Sequence, residues 1–218
     1  MAFDKKISDS VDEYVRKHIA SEEWHAIYFD FIDDRELASR LSDEFLSTRY
    51  IYKLLEGLEA GGWLLRAQIR LQVLSYASIY EAVLHHLLFS TLRSDARVIA
   101  LTEFPMKKLV SIPAESQAAL NKHLSHDGKD IVPTYIGVGK TDDTKVRFDR
   151  KAECACEIGI VEEWLKDELV EFYEARNSIH IHAEIRKSLN YELDLSRRSY
   201  LRLQPFKEQI MRWQAEQA

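Results

Sequence analysis

The 218-residue sequence predicts an all-α fold, and three observations support that class. Apolar residues recur at steps of three or four along most of the chain, which is the spacing of one helix face. Only 7 glycines and 4 prolines are present, too few for the turns of a many-stranded fold. Hydrophobic content is 46% and charged content is 30%, as in ordinary globular proteins. A chain of this length buries about 70% of its unfolded surface, so we expect a helical bundle with a core of its own.

Residues 1–60 are predicted to form an N-terminal helical extension that packs on the rest of the chain. Ser21 is a typical N-cap residue, as are Asp33 and Asp34, and both positions precede an amphipathic stretch. Gly61 and Gly62 are expected to end the third helix. The extension carries 14 acidic and 8 basic side chains, whereas residues 61–218 carry 22 of each. The net charge of −6 therefore lies in the extension, and it argues against a protein that coats nucleic acid generally.

Residues 63–92 form the most apolar stretch, which predicts a central helix in a bundle spanning residues 61–218. Glu81 lies in the middle of that stretch, and a glutamate on a core helix needs a cation or hydrogen-bond donors. Two interpretations stay open from the residues alone. Glu81 either faces Arg176, or it pairs with His85 on a partly exposed edge.

Residues 93–160 are the least regular part, and we expect an insertion between core helices there. A short helix is predicted over residues 114–125, and residues 131–148 indicate a small hairpin or an ordered loop. Five side chains make the insertion locally basic: Lys140, Lys145, Arg147, Arg150 and Lys151. A solvated loop explains this charge more simply than a flap that guides RNA.

Residues 160–188 are predicted to form the helix that carries the candidate site. Its apolar residues recur at helical spacing at Leu165, Leu169, Phe172, Ile179 and Ala183. Arg176 falls inside this stripe, so it must pair, face a cleft or face a partner chain. His180 lies one turn further on the same face, whereas His182 lies about 120° round an unbroken helix. His182 therefore meets Arg176 only if the helix bends or ends near residue 181.

The segment from Arg176 to His182 resembles the Arg-polar-X-His motif of the HEPN superfamily. The family pattern is an arginine, four to six intervening residues and then a histidine. Asn177 is the polar residue here, and His182 fits the pattern with five intervening residues, whereas His180 has three. Ile181 stands where many members carry the histidine, so both imidazoles stay candidates.

The resemblance extends over residues 60–215 and implies a HEPN-like helical bundle. Many HEPN domains are metal-independent ribonucleases of toxin, antiviral and RNA-processing systems. HEPN-like chains commonly carry a glutamate in the apolar helix before the Arg/His helix, which favours the pairing of Glu81 with Arg176. The family also places two Arg/His sets face to face, which implies a homodimer.

The predicted function is that of a metal-independent endoribonuclease, a toxin or an antiphage defence effector. Attack by the ribose 2′-hydroxyl needs a base, an acid and a cation for the phosphate oxygens. Histidine titrates near neutral pH, and arginine binds phosphate through paired N–H groups. The candidate catalytic residues are Arg176, His182 and His180, with Asn177 and Glu81 in support. No metal or cofactor is expected, and the expected partners are RNA, a second copy and an antitoxin or regulatory protein.

The alternative function is a non-catalytic HEPN-like binding module, such as an antitoxin, immunity or scaffold protein. In that case Arg176 is an ion-pair residue of the core, and the histidines only pack. A zinc site is disfavoured because one residue separates Cys154 from Cys156, fewer than the usual two to four. The two cysteines, the polar N-terminus and the lack of a long apolar run predict a cytoplasmic protein with no membrane partner.

Overall fold

The computed structural model describes residues 4–124, 126–178 and 192–217. The chain divides into two compact units, of which the first is Met1–Leu92 with Arg147–Ala218 and the second is Arg93–Val146. The described residues are mostly helical, which confirms the predicted all-α class. No helix within these ranges is long and apolar enough to cross a membrane.

Three helices open the first unit: α1 (Lys5–His18), α2 (Glu22–Ala26) and α3 (Arg35–Gly57). Ser21 and Asp34 cap α2 and α3 as predicted, since each side chain accepts a hydrogen bond from a backbone N–H of the first turn. α3 ends at Gly57 rather than at the expected Gly61 and Gly62, because the backbone turns at Glu59, whose φ is 50°. α1 and α2 pack on α3, so these helices lie in the same compact unit as the helices that follow.

The fourth helix, α4 (Gly62–His86), continues as a π-helical turn over Leu87–Thr91. This matches the central helix predicted over residues 63–92. α4 packs on α3 and on helices from the C-terminal part of the chain. Its enclosed side chains include Tyr76, Tyr80 and Leu84. The core of the first unit therefore forms around α4.

Over its described residues, the second unit contains four regular elements and a short 3-10 turn over Asp143–Lys145. The elements are α5 (Ala96–Thr102), β1 (Glu103–Leu109), α6 (Ala114–His123) and β2 (Thr134–Lys140). The strands pair antiparallel, from Glu103 opposite Lys140 to Leu109 opposite Thr134. The predicted short helix is present as α6. Residues 131–148 supply one strand and not a complete hairpin, because the partner strand precedes α6, beyond the reach of local turn patterns.

The chain returns to the first unit with α7 (Phe148–Ile158) and α8 (Glu163–Asn177). The second unit ends at Val146 and not near residue 160, because the apolar side of α7 packs on α4 and α8. α8 is shorter than the helix predicted over residues 160–188, since it ends at Asn177, and residues 179–188 of that prediction lie outside the described residues. Ser178 closes α8: its hydroxyl donates to the Glu174 carbonyl at 2.7 Å, and its ψ of 3° departs from helical geometry.

Two further helices complete the described part of the first unit: α9 (Leu193–Leu201) and α10 (Leu203–Gln217). From the sequence, Pro205 predicts either a kink in the last helix or the start of a new helix. The break falls at Arg202, and Pro205 lies in the first turn of α10, where its missing N–H is not needed. α9 packs on α4 and α8, which places the C-terminal helices against the central one.

Candidate functional site

Arg176 lies in the last turn of α8 and pairs with Glu81 of α4. Arg176 Nη1 is 3.2 Å from Glu81 Oε2. The pairing expected from the sequence is therefore present. The Arg176 side chain is 28% exposed and that of Glu81 is 26% exposed, so solvent reaches both. The arginine is held by a carboxylate without being sealed into the core.

The second oxygen of the same carboxylate has two further partners. The Tyr173 hydroxyl donates a hydrogen bond to Glu81 Oε1 at 3.1 Å. Lys151 Nζ lies 3.7 Å from that oxygen, and its side chain is only 3% exposed. The charged members Glu81, Arg176 and Lys151 sum to one positive charge. We call these residues, with Tyr173, the Glu81 cluster.

Aromatic contacts orient the Glu81 cluster. The rings of Phe148 and Tyr173 stack with centroids 4.4 Å apart and an interplanar angle of 19°. Arg176 Cζ lies 4.9 Å from the centroid of the Tyr173 ring, a cation–π distance. Burial, reinforced by the negative charge of Glu81, raises the pKa of Tyr173 above its ordinary value of 10. Tyr173 is therefore a protonated donor at neutral pH and not a base.

The sequence of α7 explains how a lysine enters this core. Phe148, Ala152 and Ala155 are buried at helical spacing, and Lys151 lies on the same side of the helix. The side chain therefore points inward and needs a counter-charge, which Glu81 supplies. Lys151 is not among the site residues predicted from the sequence. Its position three residues after Phe148 puts it on the apolar side of a helix, and that spacing predicts a buried lysine.

Asn177 and the histidines are the other residues that the sequence analysis considered for the site. Asn177 is the last residue of α8 and is exposed. His180 and His182 lie outside the described residues. His85, the alternative partner for Glu81, has its ring centroid 4.9 Å from that of Phe89.

The basic residues predicted to form one loop do not share one element. Lys140 belongs to β2 and Lys145 to the 3-10 turn, both in the second unit. Arg150 and Lys151 belong to α7 in the first unit. The expected basic loop is therefore wrong as a single structure, because a helix begins at Phe148 within it.

Cysteine and metal chemistry has little support in the described ranges. Cys154 is buried and Cys156 partly buried, and both are free thiols. Burial raises the pKa of Cys156, which makes its thiol a weaker nucleophile. No group of three or more His, Cys, Asp or Glu side chains that the structure describes is arranged to hold a metal ion.

α8 carries a second ion-pair cluster, here called the Glu168 cluster. Glu168 accepts hydrogen bonds from Arg198 Nη1 at 3.3 Å and from Arg202 Nη2 at 3.0 Å. Arg198 also donates to Glu171 at 2.7 Å and to Asp194 at 3.0 Å. The hydrogen bond from Arg202 holds the pKa of Glu168 below its ordinary value. Three carboxylates thus face two guanidinium groups, and the sum is one negative charge.

Comparison with known proteins identifies no relative of this chain. No family model matches the chain, and neither a curated protein nor a solved structure is detectably similar to it.

Proposed function

We propose that this chain is a metal-independent endoribonuclease of the HEPN type, a toxin or antiphage effector in which Arg176 binds the scissile phosphate. The observation that supports this proposal is the half-open Glu81–Arg176 pair at the end of α8. Glu81 occupies Nη1, and a guanidinium has five N–H donors, so others stay available to a phosphate. The Glu81 cluster keeps a positive charge, which favours an anionic ligand.

The proposed reaction uses the ribose itself as nucleophile. The 2′-oxygen forms a bond to phosphorus while the bond from phosphorus to the 5′-oxygen breaks, which leaves a cyclic phosphate and a 5′-hydroxyl. A base takes the proton of the 2′-hydroxyl, and an acid protonates the departing 5′-oxygen. In each Arg/His set one imidazole, that of His182 or that of His180, is the proposed acid or base. Arg176 stabilises the charge that builds on the phosphate oxygens.

Glu81, Tyr173 and Lys151 have a positioning role in this proposal. The carboxylate fixes one edge of the guanidinium, and the Tyr173 ring supports its face. Lys151 offsets the charge of Glu81, so the carboxylate does not cancel the attraction of Arg176 for phosphate. A second copy of the chain supplies the second Arg/His set in the proposed dimer, and Asn177 positions the phosphate.

The test is RNA cleavage by the purified full chain in the presence of EDTA. Wild-type protein is expected to produce cyclic-phosphate ends, and Arg176→Ala is expected to lower the rate about 100-fold or more, as when a single charge-stabilising donor is lost. A His180→Ala/His182→Ala double change should abolish cleavage. The matched control is Arg150→Ala, which removes an exposed arginine from α7 and should leave the rate unchanged. Equal rates for Arg176→Ala and Arg150→Ala would contradict the proposal.

A non-catalytic HEPN-like binding module is the second candidate. The observation that favours it is that Glu81 and Arg176 already satisfy each other as an ion pair. This candidate predicts no cleavage of RNA and equal growth of cells that express wild-type or Arg176→Ala protein. Growth inhibition by wild-type protein alone would instead support the ribonuclease.

A further inference from the structure

A cationic cavity lies in the first unit, between α3, α4 and α9. Its volume is about 360 Å³, within the range of small-molecule sites, about 300–1,000 Å³. Arg49, Lys53, Gln72 and Arg197 are among the residues that line it. None of them belongs to the Glu81 cluster, so an inference about this cavity is independent of the proposed ribonuclease.

Three cationic side chains meet at this cavity. Arg49 and Lys53 are one turn apart on α3, and Arg197 comes from α9. Lys53 pairs with Glu56, which also accepts a hydrogen bond from the Tyr52 hydroxyl at 3.0 Å. Among the described residues, no carboxylate forms an ion pair with Arg49 or Arg197. The cavity therefore favours an anion.

Aromatic rings hold the Arg49 guanidinium at the cavity. Its Cζ lies 4.0 Å from the centroid of the Tyr200 ring and 5.2 Å from that of Tyr52. A guanidinium has five N–H donors, and no ion pair with a carboxylate of the described residues occupies those of Arg49. Arg49 therefore keeps N–H groups for a paired contact with an anion.

Gln72 lines the cavity and carries a buried neutral donor. The residue is 2% exposed, and its Oε1 accepts a hydrogen bond from the Ser196 hydroxyl at 3.4 Å. Its Nε2 is buried and has no hydrogen-bond partner among the described residues. Buried side-chain donors are nearly always paired, so an unpaired one on a cavity wall points to an acceptor supplied by a ligand.

We propose that this cavity binds a phosphate monoester. Such a group carries a charge of about −1.5 to −2 at pH 7 and three strong acceptor oxygens. Those oxygens match the Arg49 fork, the Arg197 guanidinium and the Gln72 amide, and the charge matches the surplus of cations. The phosphate belongs either to a small nucleotide or to the end of an RNA chain, since both present the same chemistry.

Titration calorimetry on the full chain tests this proposal. The probes are inorganic phosphate, a nucleoside 5′-monophosphate, and one oligoribonucleotide with and without a 5′-phosphate. The RNA probes are measured in the Arg176→Ala background, which separates binding from any cleavage. We expect saturable binding that weakens about tenfold or more in Arg49→Gln and in Arg197→Gln, because each removes charge-assisted hydrogen bonds.

The control is Arg40→Gln, which neutralises an exposed arginine more than two turns away on α3. Tighter binding of the phosphorylated oligoribonucleotide than of its 5′-hydroxyl form identifies an RNA end as the ligand, and binding of the mononucleotide alone identifies a small ester. No binding of any probe at millimolar concentration overturns the proposal, as does equal binding by Arg197→Gln and Arg40→Gln.

Gln72→Met provides a second variant that does not depend on charge. Gln72→Met removes the unpaired Nε2 together with the acceptor of a long hydrogen bond from Ser196, so the unfolding temperature of the free protein is expected to fall only slightly. The rise in unfolding temperature caused by the monophosphate should, however, be lost. A Gln72→Met protein that keeps the full ligand-induced rise would overturn the role assigned to this side chain and, with it, the proposed site.

Discussion

Two clusters on α8 use the same chemistry with opposite charge balance. In the Glu168 cluster three carboxylates surround two arginines, whereas in the Glu81 cluster one carboxylate faces an arginine and a lysine. Exposure does not separate them, because the Arg176 and Arg198 side chains are both 28% exposed. The comparison shows that an ion pair alone does not identify a binding site for an anion. A surplus of positive charge at a part-exposed arginine is the feature that suits an anionic ligand.

Burial of the lysine sharpens this contrast. Lys151 is almost completely enclosed, whereas both arginines of the Glu168 cluster reach solvent. Losing the shared carboxylate therefore leaves a buried cation in one cluster and a hydratable one in the other. Breaking a buried pair is costly, whereas a surface pair contributes little.

The largest expected effect is on stability after loss of each central carboxylate. Glu81→Ala should lower the free energy of unfolding by about 3 kcal/mol, because Lys151 is left unpaired in the core. Glu168→Ala should lower it by about 1 kcal/mol, since both arginines reach solvent and Arg198 keeps Glu171 and Asp194. Urea unfolding measures both changes.

A double change provides the control for that comparison. Glu81→Gln with Lys151→Met removes both charges together and should bring stability to within about 1 kcal/mol of wild type. If Glu81→Ala and Glu168→Ala cost the same, and the double change restores nothing, the contrast between the clusters is wrong.

A smaller effect is expected from acid, and it concerns the Glu168 cluster. The pKa of Glu168 is lower in the folded state than its ordinary value of 4.5, chiefly because of the hydrogen bond from Arg202. The stabilisation by Glu168 is therefore complete above pH 4.5 and is lost as the pH falls through the folded pKa. The difference in unfolding free energy between wild type and Glu168→Gln should shrink as the pH falls from 6 to about 3. A difference that stays constant over this range would contradict the role of the ion pair.

The smallest expected effect is that of the Tyr173 hydroxyl. Tyr173→Phe removes a donor to Glu81 but keeps the ring that stacks on Phe148, so it should cost about 1 kcal/mol in unfolding free energy. Tyr52→Phe is the matched control, because its hydroxyl donates to Glu56 at an exposed position. Tyr52→Phe should change the free energy of unfolding by close to zero. Equal losses in the two variants would show that the hydrogen bond to Glu81 stabilises the protein no more than an exposed one does.

The sequence predicts the parts of this structure that follow from local pattern. Ser21 and Asp34 cap helices because their side chains satisfy free N–H groups, and α4 is central because almost all its faces are apolar. The Glu81–Arg176 contact follows from the same logic. Each residue lies on an apolar surface that requires a partner of opposite charge.

Other features depend on contacts between distant segments and do not appear in local pattern. β1 is stabilised by a strand that begins 25 residues after β1 ends, with α6 between them. The buried position of Lys151 is hard to predict from sequence because Arg147 and Arg150 precede it, and a run of basic residues is typical of a solvated loop. The end of α8 depends on the Ser178 hydroxyl, a competition with helical hydrogen bonding that apolar spacing does not register.

The position of α4 in the chain has a consequence for biosynthesis. This most apolar helix leaves the ribosome before the segment Arg93–Val146, and α7, α8 and α9 follow only afterwards. At usual rates of translation the intervening segment takes about 3 to 10 seconds to make. During that delay Tyr80, Leu84 and their neighbours on the nascent chain are exposed to solvent, because their later partners are not yet synthesised. Chaperone protection of the growing polypeptide is therefore most needed in the interval between α4 and α8.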